Sequence, residues 1–313
     1  MNASQKQHTL RDVFRFEGIG LHTGNTVVME VCPAPENHGI RLLRVDLDSA
    51  SAIPALASAV SSTTLCTLLG QGQNVVGTVE HVLASLSWLG VDNALVKINA
   101  GEIPIADGSA GLFADGIAAI GLVEQHRERK FLRLTRAHSL ERGTARLRAT
   151  PCDRLEIHYH VEYPVASIGR QDYSFVGSLT GFAAVCDART FCLQRDIDAM
   201  RARGLAKGGS LENAVVASEQ GILNPEGLRY PDEMVRHKVL DALGDFSLLG
   251  APLLARVEVS FGGHGLHVDF CRELLACPDL LESVSSSKLG PSTDGLMSGS
   301  NWPNQAARLR QRP

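Results

Sequence analysis

The apolar and polar positions of this chain sort into short strand-like runs, interrupted by a few stretches with helical spacing. Within residues 8–60, TLRDVFRFEG and NTVVMEVCPA flank the glycine-rich GIGLHTG, a pattern that predicts two strands joined as a hairpin. IRLLRVDL predicts another strand. Val79, Val82, Leu83, Leu86 and Leu89 then recur with a 3.6-residue period, so VEHVLASLSWLG predicts a helix capped by Thr78. NALVKINAGEIPI returns to strand, and DGSA opens a second helix over GLFADGIAAIGLV.

The polar run EQHRERK, at residues 124–130, predicts a break. The theme then repeats. KFLRLTRAH, TARLRATP and LEIHYHVEY read as strands, LQRDIDAMRARGL as a helix, NAVVAS as a short strand and MVRHKVLDALGDFSLLG as a helix. LLARVEVSF reads as a last strand that leads through GGHG into a helix at VDFCRELLAC. This order predicts an α+β protein of two similar layered α/β sandwich domains, 1–125 and 126–282. From residue 283 onward Ser, Gly and Pro dominate, which predicts a disordered tail over 283–313 whose Arg308, Arg310 and Arg312 form a solvated end.

Composition narrows the function classes. The 313 residues are 44% apolar and 20% charged, enough for two cores, and the net charge of −4 offers no general field for nucleic acid or an anionic membrane. No apolar run approaches the roughly 20 residues that span a bilayer, and MNASQKQHTLRDVFRF lacks the basic-then-apolar order of a signal peptide, so the expected compartment is the cytoplasm. Seven cysteines are scattered without a CxxC pair, which predicts small reduced hydrophobes rather than a disulfide framework or zinc knuckle.

Four local patterns carry chemistry. His237 and Asp241 stand four apart on a predicted helix, so an imidazole and a carboxylate share one face, a donor pair that suits zinc. Alone, such a pair is more often a surface contact. Glu80-His81 opens the helix after Thr78, where one side chain can ligate an ion while its neighbour reaches the water that a hydrolytic zinc keeps. The glycines of Phe261-Gly262-Gly263-His264-Gly265 expose an imidazole suited to acid catalysis, and Asp245, one turn beyond Asp241, is a candidate orienting carboxylate. Thr190, within ARTF, is a candidate donor to an oxyanion.

These patterns occur in one order with others: GIGLHTG (18–24), STTLCT (62–67), TVEHVLASLSWLGVDN (78–93), EIPIADGSA (102–110), ARTF (188–191), LNPEGLRYPDE (223–233), RHKVLDALGD (236–245) and GGH (262–264). Together, over roughly residues 8–278, they resemble the UDP-3-O-acyl-N-acetylglucosamine deacetylases of lipid A synthesis in Gram-negative bacteria. The resemblance implies a zinc-dependent amide hydrolase that releases acetate from the 2-amino group of its acylated UDP-sugar, with the active site between the two domains. One zinc, or iron(II) in the cell, is expected on His81, His237 and Asp241 of a monomer. Glu80 matches the general base, His264 the acid or electropositive partner, Thr190 the oxyanion donor, Lys238 a substrate-side cation and Asp245 the group that orients His264. Leu193, Ile197, Ala214 and Val216 match positions lining an acyl passage, Phe191 an aromatic near the sugar and nucleotide, and His22 a histidine at the mouth of the site.

The family pattern is broken at two places. Phe261 stands where relatives have a lysine or arginine, and Glu141-Arg142-Gly143-Thr144 lacks a hairpin lysine. Two lost cations forgo about 1.5–3 kcal/mol each at a diphosphate, with Arg142 or Arg146 as candidate replacements; Lys207, near the acyl passage, departs in the same sense. The alternatives are a metal-dependent deacetylase of a different N-acyl amino sugar, or a non-catalytic paralogue that binds lipid or sugar nucleotide.

Overall fold

The computed structural model describes residues 6–289, 302–303 and 305–310. Strand Thr26–Pro33 shows why the first half forms a sheet: Val27, Met29 and Val31 alternate inward and are fully buried. It pairs antiparallel with Phe14–Ile19 on one side and with Ala94–Ile98 on the other. Ile40–Arg44 runs parallel to Ala94–Ile98, and Ile53–Pro54 closes this five-stranded sheet. The second half is built around Leu253–Ser260, which pairs antiparallel with Ala145–Pro151 and parallel with Lys130–Leu134 and Glu156–Glu162 in a seven-stranded sheet.

Among the described residues the helices are α1 (Glu80–Leu89), α2 (Gly111–Ile120), α3 (Leu179–Ala183), α4 (Ile197–Ala202), α5 (Glu233–Ser247), α6 (His264–Ala276) and α7 (Gln305–Arg310). Helix α2 lies on Phe14–Ile19, α5 on Glu156–Glu162 and Arg170–Val176, and α6 on His138–Arg142 and Ala145–Pro151. Helix α1 packs on α2 and, across the middle of the molecule, on α5. The result is an α+β molecule of two sheet-and-helix layers with their helices face to face. No helix among the described residues is long and apolar enough to cross a membrane.

The α1–α5 contact changes the character of α1. Its apolar spacing predicts one buried stripe, yet nine of its ten residues are buried, Glu80 and His81 included. The face that an isolated helix would give to water is covered by α5. The approach is close because Gly244 lacks a side chain: a Cβ there would lie 2.1 Å from the Glu80 carbonyl oxygen.

Three local expectations are corrected. Thr78 does not cap α1. Its φ is +55°, rare for a β-branched residue, and its hydroxyl donates to Glu102 Oε1 at 3.0 Å. The break at 124–130 falls largely in a strand rather than in irregular chain: Leu122–Glu128 pairs antiparallel with Lys6–Leu10. The expected disorder from residue 283 is also wrong for the described part of the tail. Leu281–Ser285 pairs antiparallel with Lys130–Leu134, and Arg308, expected in solvent, is 4% exposed. Residues 290–301, 304 and 311–313 lie outside the described residues, as does the side chain of Arg310. All seven cysteines are free; Cys186 and Cys271 are buried and the others half-buried.

Candidate active site

Helix α5 presents His237 and Asp241 one turn apart, and the first turn of α1 brings His81 to meet them. His237 Nε2 lies 3.3 Å and His81 Nε2 3.7 Å from Asp241 Oδ1, and one donor atom from each residue falls within 4.8 Å of the others. All three side chains are buried.

The proton inventory shows what this arrangement requires. His237 Nδ1 is 3.0 Å from the Ala188 carbonyl oxygen, so it carries the proton and donates. Burial pushes His237 down to about 3, so the ring is neutral and Nε2 holds a lone pair. That lone pair faces an Asp241 oxygen, which the positive charges of Lys238 and His264 keep ionised well below the usual carboxylate range despite burial. Two lone pairs opposed in a dry pocket repel unless a cation lies between them. Donors ~2.0 Å from a tetrahedral zinc stand about 3.3 Å apart, the separation seen here. Two imidazoles and one carboxylate therefore fit a divalent transition metal, with a coordination position left over.

Three further ionisable groups surround that point. Glu80, buried and 3% exposed, accepts from the Thr67 backbone N–H at 3.2 Å, and its Oε1 is 3.9 Å from His264 Nε2. Burial raises its pKa despite the opposing charge of His264, an adjustment that suits a base. His264 is the first residue of α6 rather than a loop residue. Its Nδ1 donates to Asp245 Oδ2 at 2.9 Å. Burial opposes its charge, but Asp245, Asp241 and Glu80 outweigh it and raise His264 to about 9. Lys238 Nζ donates to Asp241 Oδ2 at 2.8 Å, and burial is overcome by Asp241 to hold it charged.

Several positioning groups are not evident from the patterns described above. Asp245 is held at about 2 against burial by His264 and His267. It accepts from His267 Nδ1 at 2.9 Å and from Thr67 Oγ1 at 2.6 Å, and the Tyr159 hydroxyl donates to His267 Nε2 at 3.1 Å. His267 lies three residues beyond His264, so helical spacing carried that signal; Thr67 and Tyr159, remote in sequence, gave none. Glu102 is another. It accepts from the backbone N–H groups of His22 and Thr23 and from the hydroxyls of Thr23 and Thr78, which pins the hairpin tip beside α1.

A cavity of about 470 Å³ opens over these groups, lined by His22, Glu80, Thr190, Phe191, Lys238 and His264 among others. Arg142 also borders it, held by Asp269 at 3.3 Å and Glu273 at 3.5 Å. Arg146 does not; it pairs with Glu141 at 3.7 Å. Phe261 is 43% exposed and packs edge-on to His160. A second, mainly apolar cavity of about 310 Å³ shares Leu21, His22, Leu65, Thr190 and Phe191 with the first and runs past Ile197, Met200, Ala214 and Val216. Leu193 is corrected: it is absent from that cavity's lining and packs in a small core with Val165, Ile168, Val215 and Met234. Lys207 is absent from both linings.

The sequence matches the family model described as LpxC, UDP-3-O-acyl N-acetylglycosamine deacetylase, over residues 7–276. It is 41% identical over 286 residues to proteins named UDP-3-O-acyl-N-acetylglucosamine deacetylase from Shewanella baltica strains OS155 and OS185, covering 90% of this chain and 94% of each relative. A match of this extent takes in both layers and every group of the site, and the chain belongs to the UDP-3-O-acyl-N-acetylglucosamine deacetylase family.

Proposed function

We propose that this protein hydrolyses the N-acetyl group of UDP-3-O-acyl-N-acetylglucosamine, releasing acetate and a free 2-amine, as an early step of lipid A biosynthesis. With this reading go a cytoplasmic, monomeric enzyme and one zinc per chain, replaceable by iron(II). The observation that carries it is the opposition of the His237 Nε2 lone pair to the ionised Asp241 at 3.3 Å, with His81 completing three ligands.

When bound, the ion supplies Lewis acidity, polarising the acetyl carbonyl and lowering the pKa of water towards ~7. The remaining work falls to side chains. Glu80 accepts the proton of the attacking water, whose oxygen forms the new bond to the acetyl carbon. Thr190 donates to the carbonyl oxygen as it gains charge, and Lys238 supplies a nearby cation. His264, kept protonated by Asp245, gives its proton to nitrogen as the C–N bond breaks. Ile197, Ala214 and Val216 receive the acyl chain, and Phe191, which lines both cavities, stands beside the sugar and nucleotide. His22 stands where they meet. Arg142, at the rim of the first, is our choice for the diphosphate cation that Phe261 does not provide.

A deacetylation assay on the UDP-linked substrate, with and without a chelator and zinc add-back, tests this reading. We expect turnover that the chelator abolishes and zinc restores. Chelator-insensitive turnover would remove the metal, and stoichiometric zinc without turnover would indicate a binding paralogue. Phe261 favours one second reading, an unlinked N-acyl amino sugar, which a higher kcat/KM without the nucleotide would establish.

A further inference from the structure

Arg308 has no part in the reaction just described, yet it is buried, at 4% exposed. Its guanidinium forks onto Asp187, Nε donating to Oδ2 at 2.8 Å and Nη2 to Oδ1 at 3.0 Å. Nη1 donates to Asp115 Oδ1 at 2.6 Å and to the Pro303 carbonyl oxygen. Trp302 covers the assembly, with Arg308 4.7 Å from its ring centroid, its indole N–H on Asp115 and its ring against Phe182. Asp115 belongs to α2 in the first layer and Asp187 to the loop after α3 in the second. One guanidinium therefore joins the two layers.

Asp187 is completely buried, and its carboxylate oxygens meet two side chains among the described residues, Arg308 and Gln305, both from the tail. Without the tail, the carboxylates of Asp187 and Asp115 would be left near each other without the guanidinium that now lies between them. Asp187 leads directly into active-site backbone. The Ala188 carbonyl fixes the His237 tautomer, and Thr190 lines both cavities, its N–H donating to Gly108 and its carbonyl accepting from Val215.

We propose that Arg308 is a positioning residue for the metal site: the C-terminal segment is a strap whose guanidinium clamps Asp187 to Asp115 and so holds the Ala188 carbonyl on His237 and Thr190 in the cavity. This rests on the metal-site reading above. Partners that orient a ligating histidine typically alter metal affinity or activity about 10–100-fold when lost, and a residue acting through such a partner is expected at the lower end.

The test uses the full chain as wild type, Arg308→Ala, Arg308→Lys and a control, Val27→Ala, remote from the site. Zinc retention against a competing chelator, kcat and KM are measured, with amide exchange at residues 188–190 in the metal-free proteins. For Arg308→Ala we expect zinc retention and kcat each to fall about tenfold, KM to change less, and exchange at 188–190 to quicken. Guanidinium ion added well below denaturing concentrations should restore part of the loss. Arg308→Lys, which keeps the charge but not the fork, should fold and fall between. The inference is overturned if Val27→Ala, at an equal loss of Tm, behaves like Arg308→Ala, or if neither Arg308 variant alters exchange and zinc retention. Wild type that binds no zinc would sink the metal reading instead, and the exchange measurement on metal-free protein would still decide the strap.

Discussion

At the scale of single residues, the site works through proton assignments that follow from hydrogen bonds. Asp245 accepts from two histidines and a threonine, a set that keeps it ionised and keeps the His264 Nδ1 proton pointed away from the reaction. Glu80 receives one backbone donor and is otherwise shielded from water, so its carboxylate stays basic for its type. Because Glu80 is outside the ligand set, Glu80→Ala is expected to lower kcat by about 10²–10⁴ while zinc content stays stoichiometric. Elemental analysis beside the turnover assay checks both halves, and full activity in the variant would remove Glu80 as the base.

The element scale is set by the crossing of α1 and α5. Each helix alone carries an incomplete site: α1 brings Glu80 and His81, α5 brings His237, Lys238, Asp241 and Asp245. Gly244 sets their separation, because its missing side chain lets the Glu80 backbone come within reach. Gly244→Ala is therefore an overpacking change with rigid backbone on the other side. Such changes typically cost about 1–3 kcal/mol, and here the strain displaces the turn that carries Glu80 and His81. Turnover should fall further than thermal stability suggests. Unchanged melting and unchanged kcat together would show that the helices do not need this approach. Thr78, at φ +55°, is the other strained element of the junction; Glu102 holds it there, so α1 begins with both its functional side chains inside.

On the whole-molecule scale, ion pairs cross between the layers around the loop 187–190. Arg229 of the second layer reaches Asp107 of the first at 2.8 Å and donates to the Asp187 carbonyl at 3.0 Å. Burial works against the Asp107 charge, but Arg229 and the Ser109 donors outweigh it and depress its pKa below 3.8. A depressed folded pKa means stability that is present above the unfolded value and is lost as pH falls through the folded one. Asp107→Asn should thus be less stable than wild type at neutral pH, with the gap narrowing below the ordinary aspartate range. Denaturant titrations at both pH values check this, and a gap that widens on acidification would contradict it.

Much of this protein was legible before any fold was described. The i, i+4 spacing of His237 and Asp241, the adjacency of Glu80 and His81 and the glycine-flanked His264 are local patterns, and one helix or turn suffices to make them meaningful. The order of strands and helices likewise gave the α+β class. What sequence could not supply were relations between remote segments. Nothing local pairs Thr67 with Asp245, turns Thr78 from a cap into a strained donor to Glu102, or sends Leu193 to a core rather than a passage. Composition made the tail read as solvent-borne, and it erred at Arg308 because two acidic side chains from different layers, invisible along the chain, make a buried place for its charge. Local propensity fixes which face a side chain occupies; only packing decides what that face meets.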